Sequence, residues 1–570
     1  MTLELISALA TTPIVANETV HVLGYYTIGD GGGGDFYWDA NSVEEEDLGT
    51  IFISGNVATG RWKRLYNSPL SALWFGAKGD GTTNDTSKLQ KAIKTAEDRI
   101  LDGEGRTYLV ASPLSVQSNT TVRNFRFQHA GSSIDFTSVL TVDGMATEKQ
   151  NILFENIYIN GNRDNHMNID SAAEDGGRHG IRCLGSCKHL TFRNVEVEYC
   201  AADGLEFFSN QQVDPGTETY LFEYIKIEDS RFSWNRRHGI SGDCMKGVEL
   251  KNVELSFNGL DTPAAGAQPA NHGSKGDRAT DGKLYGNGVD WEGYSNGTNI
   301  TDLLMDNVRA FKNALCGIQF WDKSKTAANE TNWRTWERIR IVNSYSDYGQ
   351  FSTPSFGTGT LYKSAIRLIG AQLYGTFRDI VIENNFLEGN ILLQSCDKVS
   401  FNNNNVNFIY PVGKDERPNQ LLYCRDVFIR DLHYSSDVEP MLFYANNSTG
   451  IVYENSKNNI EWAGRYLDVI PSFVQDLRVH RIGNTLKFYM KLGNAAVASG
   501  DTILKFKWWS KNNQPFKVIN FYRVDSFAQA FNAVLKGSES GDALTALAAY
   551  NFVGNAVFCE FETAVFADVF

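Results

Sequence analysis

The sequence predicts an all-β protein whose body is a parallel β-helix, a solenoid of stacked coils. Two short patterns alternating from about residue 152 to residue 445 carry that prediction. The first is a β run with Asn or Asp at its fifth position, as in Ile152 to Asn156, Leu190 to Asn194, Val248 to Asn252, Leu303 to Asn307, Ile380 to Asn384 and Val427 to Asp431. The second is a small residue, then an aliphatic, then a polar one: Gly180-Ile181-Arg182, Gly204-Leu205-Glu206, Gly239-Ile240-Ser241, Gly288-Val289-Asp290, Gly317-Ile318-Gln319 and Ala365-Ile366-Arg367. The two keep their order across insertions of unequal length, which marks a solenoid, and strand-rich units make it a β-helix. Length is the third observation. A chain of 570 residues is too long for one compact globule, whereas coils that bury themselves only against their neighbours escape that limit.

Composition narrows the function. The 42% hydrophobic content is enough for a core, and 53 basic against 67 acidic residues leave a net charge of −14. That balance argues against nucleic acid, which requires a basic stripe. It also argues against simple charge attraction to an anionic polymer, so an acidic glycan would have to be held by local Arg and Lys. No apolar run reaches the length of a membrane span, and the first residues show no basic segment followed by an apolar core, so no secretory leader is expected. The eight cysteines are scattered singly. They are expected as small core residues of a chain made in a reducing cytoplasm, without disulfides.

Residues 1–70 read as a β-rich neck module. Its Gly run, Gly31 to Gly34, is followed by Phe36-Tyr37-Trp38, a strand. A phosphate-cradling loop opens a helix and usually carries Lys, so a tight turn is expected here instead. Residues 71–460 are the solenoid with its entry. Leu73 to Ala77 reads as a strand and Gly79 to Asp85 as a loop. Leu89, Ala92, Ile93 and Ala96 then recur at helical spacing, with Asp85 or Thr86 as N-cap. An amphipathic helix near 86–98 would cover the open end of the first coil. Asp80, Asn84 and Asp85 offer oxygens for calcium, but EF-hand order and the terminal Glu are missing. No metal or cofactor is expected.

The run Phe75-Gly76-Ala77-Lys78-Gly79-Asp80-Gly81-Thr82-Thr83-Asn84-Asp85-Thr86, followed by a helix, resembles the entry motif of the pectate-lyase-like right-handed β-helix superfamily. The preceding Gly24-Tyr25-Tyr26 and Gly29-Asp30-Gly31-Gly32-Gly33-Gly34-Asp35-Phe36-Tyr37-Trp38-Asp39 resemble the segment before the β-helix in bacteriophage tailspikes, including capsule depolymerases. With the repeat, the resemblance covers roughly residues 20–460. It implies a homotrimer that binds and cuts a bacterial surface polysaccharide from the virion tail, attached to the phage tail through an upstream region of which little is visible here.

Long interruptions at 259–286 and about 346–362 mark a ligand-handling face. Residues 461–570 read as short strands and turns, a β-sandwich-like end domain that by resemblance closes the trimer or binds glycan. Trp508-Trp509 there are sandwich core or a carbohydrate platform.

Side chains alternate faces along a strand. In the second pattern the aliphatic residue points inward, and the residue after it, like the one two further on, points outward. Coil by coil this gives Arg182 and Leu184, Glu206 and Phe208, Ser241 and Asp243, Asp290 and Glu292, Gln319 and Trp321, Arg367 and Ile369. Stacked carboxylates raise one another's pKa, and glycoside hydrolysis needs one protonated and one ionised carboxyl. The candidate catalytic residues are therefore Glu206, Asp243, Asp290 and Glu292. Asp243 and Glu292 sit one coil apart, about 5 Å, and Glu206 and Asp290 two coils apart, about 10 Å. Candidate substrate-binding residues are Arg182 and Arg367 for acidic substituents, Trp321 for stacking, and His238, Gln319 and Asp322; Trp291 has inward parity. His179, Cys183, Cys187 and His189 are metal-ligand types without a zinc spacing. The stacked Asn of the first pattern are expected as structural ladders. The leading expectation is an endoglycosidase. The alternatives are a polysaccharide lyase using Arg182, Arg367, His238 and Lys275, or a non-catalytic receptor-binding fibre.

Overall fold

The computed structural model describes most of residues 1–454, apart from connecting segments of which the longest are 164–177, 210–219, 261–285, 323–335 and 408–419; beyond 454 it describes the backbone of the strands. Lys275 and Trp508-Trp509 lie outside the described residues. Internal contacts divide the chain into two compact units. One is Met1–Phe320 with Glu330–Arg334 and Asp347–Leu361, and the other is Trp321–Asn329, Thr335–Ser346 and Tyr362–Phe570.

The first unit opens with a five-stranded sheet, in the order Thr2–Leu5, Thr19–Gly24, Gly34–Asp39, Arg61–Arg64, Ile51–Ile53. Ile6, Leu9, Val20, Val22, Phe36, Phe52 and Trp62 form its core. The Gly run is a turn with a specific job. Arg64 donates to the carbonyls of Gly32 and Gly49 at 2.9 and 2.8 Å, and a Cβ at Gly34 would come within 2.4 Å of its guanidinium. Asp30 closes the same turn by accepting the N–H groups of Tyr25, Tyr26, Thr27 and Gly32.

The entry differs from its sequence reading in two places. Ala72–Phe75 is a 3-10 turn rather than a strand, because the Ser71 hydroxyl accepts the Leu73 N–H and Gly76, at φ 79°, stops it. Asp80–Asn84, expected as a loop, is a strand parallel to Thr107–Val110. The helix spans Thr86–Thr95 and buries Leu89, Ala92 and Ile93. Asp85 stands at its N-cap but does not cap it, since its carboxylate turns back to accept from Lys78 and Gly79.

The coils that follow stack in register as a right-handed parallel β-helix. One inward column runs Val122, Phe154, Phe192, Ile227, Leu250, Met305, every member fully buried. Another runs Leu140, Ile181, Leu205, Ile240, Val289. Asn or Asp at the fifth position of the first pattern is now explained. Asn156, Asn194, Asp229, Asn252 and Asn307 all have φ between 50° and 55°, the left-handed region that Asn and Asp tolerate best. Their side chains bond between coils, Asn194 to Asn156 at 2.8 Å, Asn252 to Asp229 at 2.8 Å and Asn307 to Asn252 at 2.8 Å. A second, buried ladder joins Asn235 to Asn258 and Asn258 to Asn313. Cys183 and Cys187 lie inside the coils, so the loose His/Cys group is not a metal cluster; the described thiols are free and buried.

The second unit repeats the plan. Ile341, Ile382, Phe401, Ile429 and Tyr453 align on successive parallel strands, with an Asn403 to Asn384 bond at 2.8 Å. Its C-terminal part is an eight-stranded antiparallel sheet that includes Val474–Ile482, Thr485–Leu492, Lys517–Arg523 and Val557–Ala564.

Candidate active site

The glycine of the second pattern is required by the closeness of successive coils. A Cβ on Gly180, Gly204, Gly239 or Gly288 would lie 2.7, 2.7, 2.6 or 2.5 Å from the carbonyl oxygen of the equivalent glycine on the next coil. No side chain fits there. Two columns of side chains flank this corner.

Two residues after each glycine, Arg182, Glu206, Ser241 and Asp290 are aligned rung by rung, and Gln319 Nε2 donates to Asp290 Oδ1 at 2.8 Å. Immediately before each glycine stand His179, Asp203, His238 and Asn287, on strands joined by the bonds Gly180 N to Asp203 O, Gly204 N to His238 O and Gly239 N to Asn287 O. The columns touch along a repeated diagonal. His179 Nε2 lies 3.2 Å from Glu206 Oε2, the Ser241 hydroxyl donates to Asp203 Oδ2 at 2.8 Å, and His238 Nε2 lies 3.1 Å from Asp290 Oδ2. Each imidazole takes a backbone N–H of the next coil on Nδ1, from Asp203 at 3.3 Å and from Asn287 at 3.0 Å. In a neutral ring that places the proton on Nε2, although at His179 the short approach to Glu206 is not a hydrogen bond.

Arg182 Nε donates to Glu206 Oε2 at 2.5 Å, and its guanidinium lies over the Phe208 ring. Arg237 approaches Asp203 Oδ1 at 3.4 Å. Two residues beyond Ser241, Asp243 accepts the N–H and O–H of Ser209 at 3.0 and 2.7 Å.

The strip was expected as a solvated outer wall. Instead Glu206, Asp243, Asp290 and Glu292 are only 6, 2, 3 and 6% exposed. An outward strand position is dry when side chains of neighbouring coils roof it, as Ser209, Arg237 and His238 do here. Burial sets the protonation states. It raises Glu206 to about 7, against the opposing pull of Arg182. It raises Asp243 likewise from 3.8 to about 7, with Glu292 adding to it. For Asp203 burial also pushes upward, but Arg237, then His238 and His179, outweigh it and hold the carboxyl well below its usual range. Burial, with Arg182, Arg237 and His238 nearby, drops His179 to about 3. Neighbouring carboxyls pushed apart in this way are what acid/base catalysis requires.

His179, Asp203 and Glu206 come within 4.8 Å of one another, a spacing a cation could use. The donor set does not fit one. Nδ1 of His179 is an acceptor, so Nε2 carries hydrogen rather than a lone pair, and Arg182 and Arg237 already balance the two carboxylates.

His238 was expected to bind substrate, yet it is buried with Asn287 on one ring nitrogen and Asp290 beside the other. Trp321, Asp322 and Arg367 belong to the second unit; Asp322 is buried, Trp321 and Arg367 half-buried. Trp291 is fully buried. Sequence reasoning missed Asp203, Arg237 and Ser209; Asp203 was findable, as a titratable residue at the position before the repeat glycine. A groove of about 390 Å³ on earlier coils, lined by Glu104, Arg126, Asn156, Tyr158 and Glu196 among others, offers amides and charges but no buried carboxyl.

The fold is a right-handed parallel β-helix with a buried polar strip along one corner. Residues 70–247 match the family model described as rhamnogalacturonase A/epimerase, pectate lyase-like. Residues 2–67 match the phage tail protein small four-stranded beta-sheet domain. Among solved structures it is similar to ORF18 of Geobacillus virus E2, with 13% identity over 97% of this chain and 90% of that one, at a TM-score of 0.44. It is similar to tailspike protein gp49 of Acinetobacter baumannii bacteriophage Fri1, described as a capsular polysaccharide depolymerase, with 11% identity over 99% and 98% of the two chains and a TM-score of 0.39. It is also similar to tailspike protein 2 of Escherichia coli O157:H7 bacteriophage CAB120, with 11% identity over 100% and 78% and a TM-score of 0.48.

Proposed function

We propose that the chain is a phage tailspike that shortens a bacterial capsular or O-antigen polysaccharide by glycoside hydrolysis. It would work as a homotrimer on the virion tail, with a neck (1–70), a β-helix (71–460) and an end domain (461–570). The observation carrying this reading is a buried carboxyl raised to about 7, Asp243, beside Asp290, which accepts from Gln319 and faces His238. One rung apart and two residues along the strand, their backbones are separated by about 8 Å.

In the reaction, the Asp243 carboxylic acid gives its proton to the glycosidic oxygen as the bond to the anomeric carbon breaks. Asp290 takes a proton from water, and that water forms the new bond at the same carbon on the opposite face. The two protons balance, and bulk water restores both carboxyls. Glu292 sustains the proton on Asp243. Arg182, held by Glu206 and Phe208, supplies positive charge at the edge of the strip. A lyase would need a free base, and the engaged ring nitrogens of His238 count against it in that role.

The test is size analysis of capsular and O-antigen polysaccharides from a panel of bacteria after incubation with the protein. Shorter chains with new reducing ends are expected, without the ultraviolet absorbance of an unsaturated uronate. Appearance of that absorbance would reject hydrolysis, and tight binding without shortening would leave a receptor-binding fibre.

A further inference from the structure

We propose that His238 is a positioning residue that holds an Nε2–H against Asp290, and that Asp203 fixes this arrangement on the coil between the two histidines. The inference rests on the acid strip being the hydrolytic site and assigns roles to two groups beside it.

The geometry is repetitive, which makes it more than a single contact. His179 and His238 occupy the same repeat position two coils apart, each before the corner glycine. Each uses Nδ1 as acceptor for a backbone N–H of the following coil and brings Nε2 within 3.2 Å of a carboxylate oxygen there. Between them, Asp203 contributes three separate contacts. Its N–H meets His179 Nδ1, its Oδ1 accepts the His238 backbone N–H at 2.9 Å, and its Oδ2 accepts the Ser241 hydroxyl at 2.8 Å. All three side chains are at least 98% buried. The charged groups around His238 are Asp203, Arg237, His179 and Asp290, with Glu206 one coil before and Arg182 two. An N–H aimed at a carboxylate favours its ionised form, which is the state a general base must hold.

The pair His238→Gln and His238→Asn separates this from mere packing. The Gln amide reaches the place of Nε2, whereas the shorter Asn amide stops near Nδ1. H238N is expected to move the acid limb of the pH–rate profile upward by about one pH unit and to lower kcat about ten- to a hundredfold with KM unchanged. H238Q is expected to keep the wild-type limb and most of kcat. D203N should act like H238N on the profile. The same contrast is readable without substrate: a carboxylate that keeps its N–H contributes stability that is lost on acidification, so H238Q should lose more stability than H238N as pH falls through the carboxylate range. Identical profiles and identical stability curves for the two variants would overturn the proposal even with an active wild-type enzyme. A wild type that cleaves nothing would instead overturn the hydrolytic reading and leave the stability contrast to judge the contact itself.

Discussion

Replacing Asp243 by Asn should abolish cleavage and yet stabilise the fold at alkaline pH. The carboxyl is buried beside Glu292, with the Ser209 N–H and O–H and its own backbone N–H donating to it. Its folded pKa is raised from 3.8 to about 7. A raised acid is bound more tightly to its proton when folded, so its contribution is fully present below the unfolded pKa and is lost as pH rises through the folded one. About three pH units at roughly 1.4 kcal/mol each put the cost of ionising Asp243 at pH 8 near 4 kcal/mol. Asn carries no charge, its Oδ1 can keep the Ser209 N–H, and the Ser209 hydroxyl can accept from its amide. D243N should therefore match wild type in stability at pH 3.5 and exceed it by a few kcal/mol at pH 8, as read from urea midpoints at both pH values. Equal pH dependence in the two proteins would refute the buried, protonated acid, and with it the assignment of the proton donor.

Asp290→Asn should lower kcat by about 10²- to 10⁴-fold while leaving polysaccharide binding intact, checked by reducing-end release and by a pull-down on the intact glycan. Gly239→Ala places a methyl 2.6 Å from the Gly288 carbonyl. It should cost several kcal/mol or prevent folding, whereas Gly105→Ala, with open space around it, should cost about 1 kcal/mol from its positive φ alone; thermal melts decide between them. Asn194→Ala removes a bond of the outer ladder and puts Ala at φ 51°. A loss of about 1–3 kcal/mol is expected, and Asn194→Gly should recover the conformational part of it.

Much of the fold was legible because each coil needs the same two chemical features at the same places. The corner at Gly180, Gly204, Gly239 and Gly288 excludes any Cβ, and the left-handed turn at Asn156 and Asn194 favours Asn. Both constraints are local and recur, so they survive insertions. Strand parity likewise placed Trp291 inside and brought Glu206, Ser241 and Asp290 onto one column. Burial was not legible, because it depends on what lies across the strip, and Ser209 and Arg237 come from different coils. The role of His238 was misread for the same reason: its partner Asn287 is 49 residues away. At the entry, Leu73 to Ala77 reads as a strand because an apolar run does not reveal that Ser71 will cap a 3-10 turn at Ala72–Phe75.

The outer ladder has a sense. Asn194 gives its amide hydrogen to Asn156, Asn156 to Asn124, and Asn124 to Asp102; farther along, Asn307 gives to Asn252 and Asn252 to Asp229. Both runs end on a carboxylate, which can only receive. The later coil always supplies the hydrogen and the earlier one the waiting oxygen. Along this outer ladder a chain emerging from the ribosome therefore lays down each acceptor before its donor, whereas the buried ladder runs the other way, Asn235 giving to Asn258 and Asn258 to Asn313.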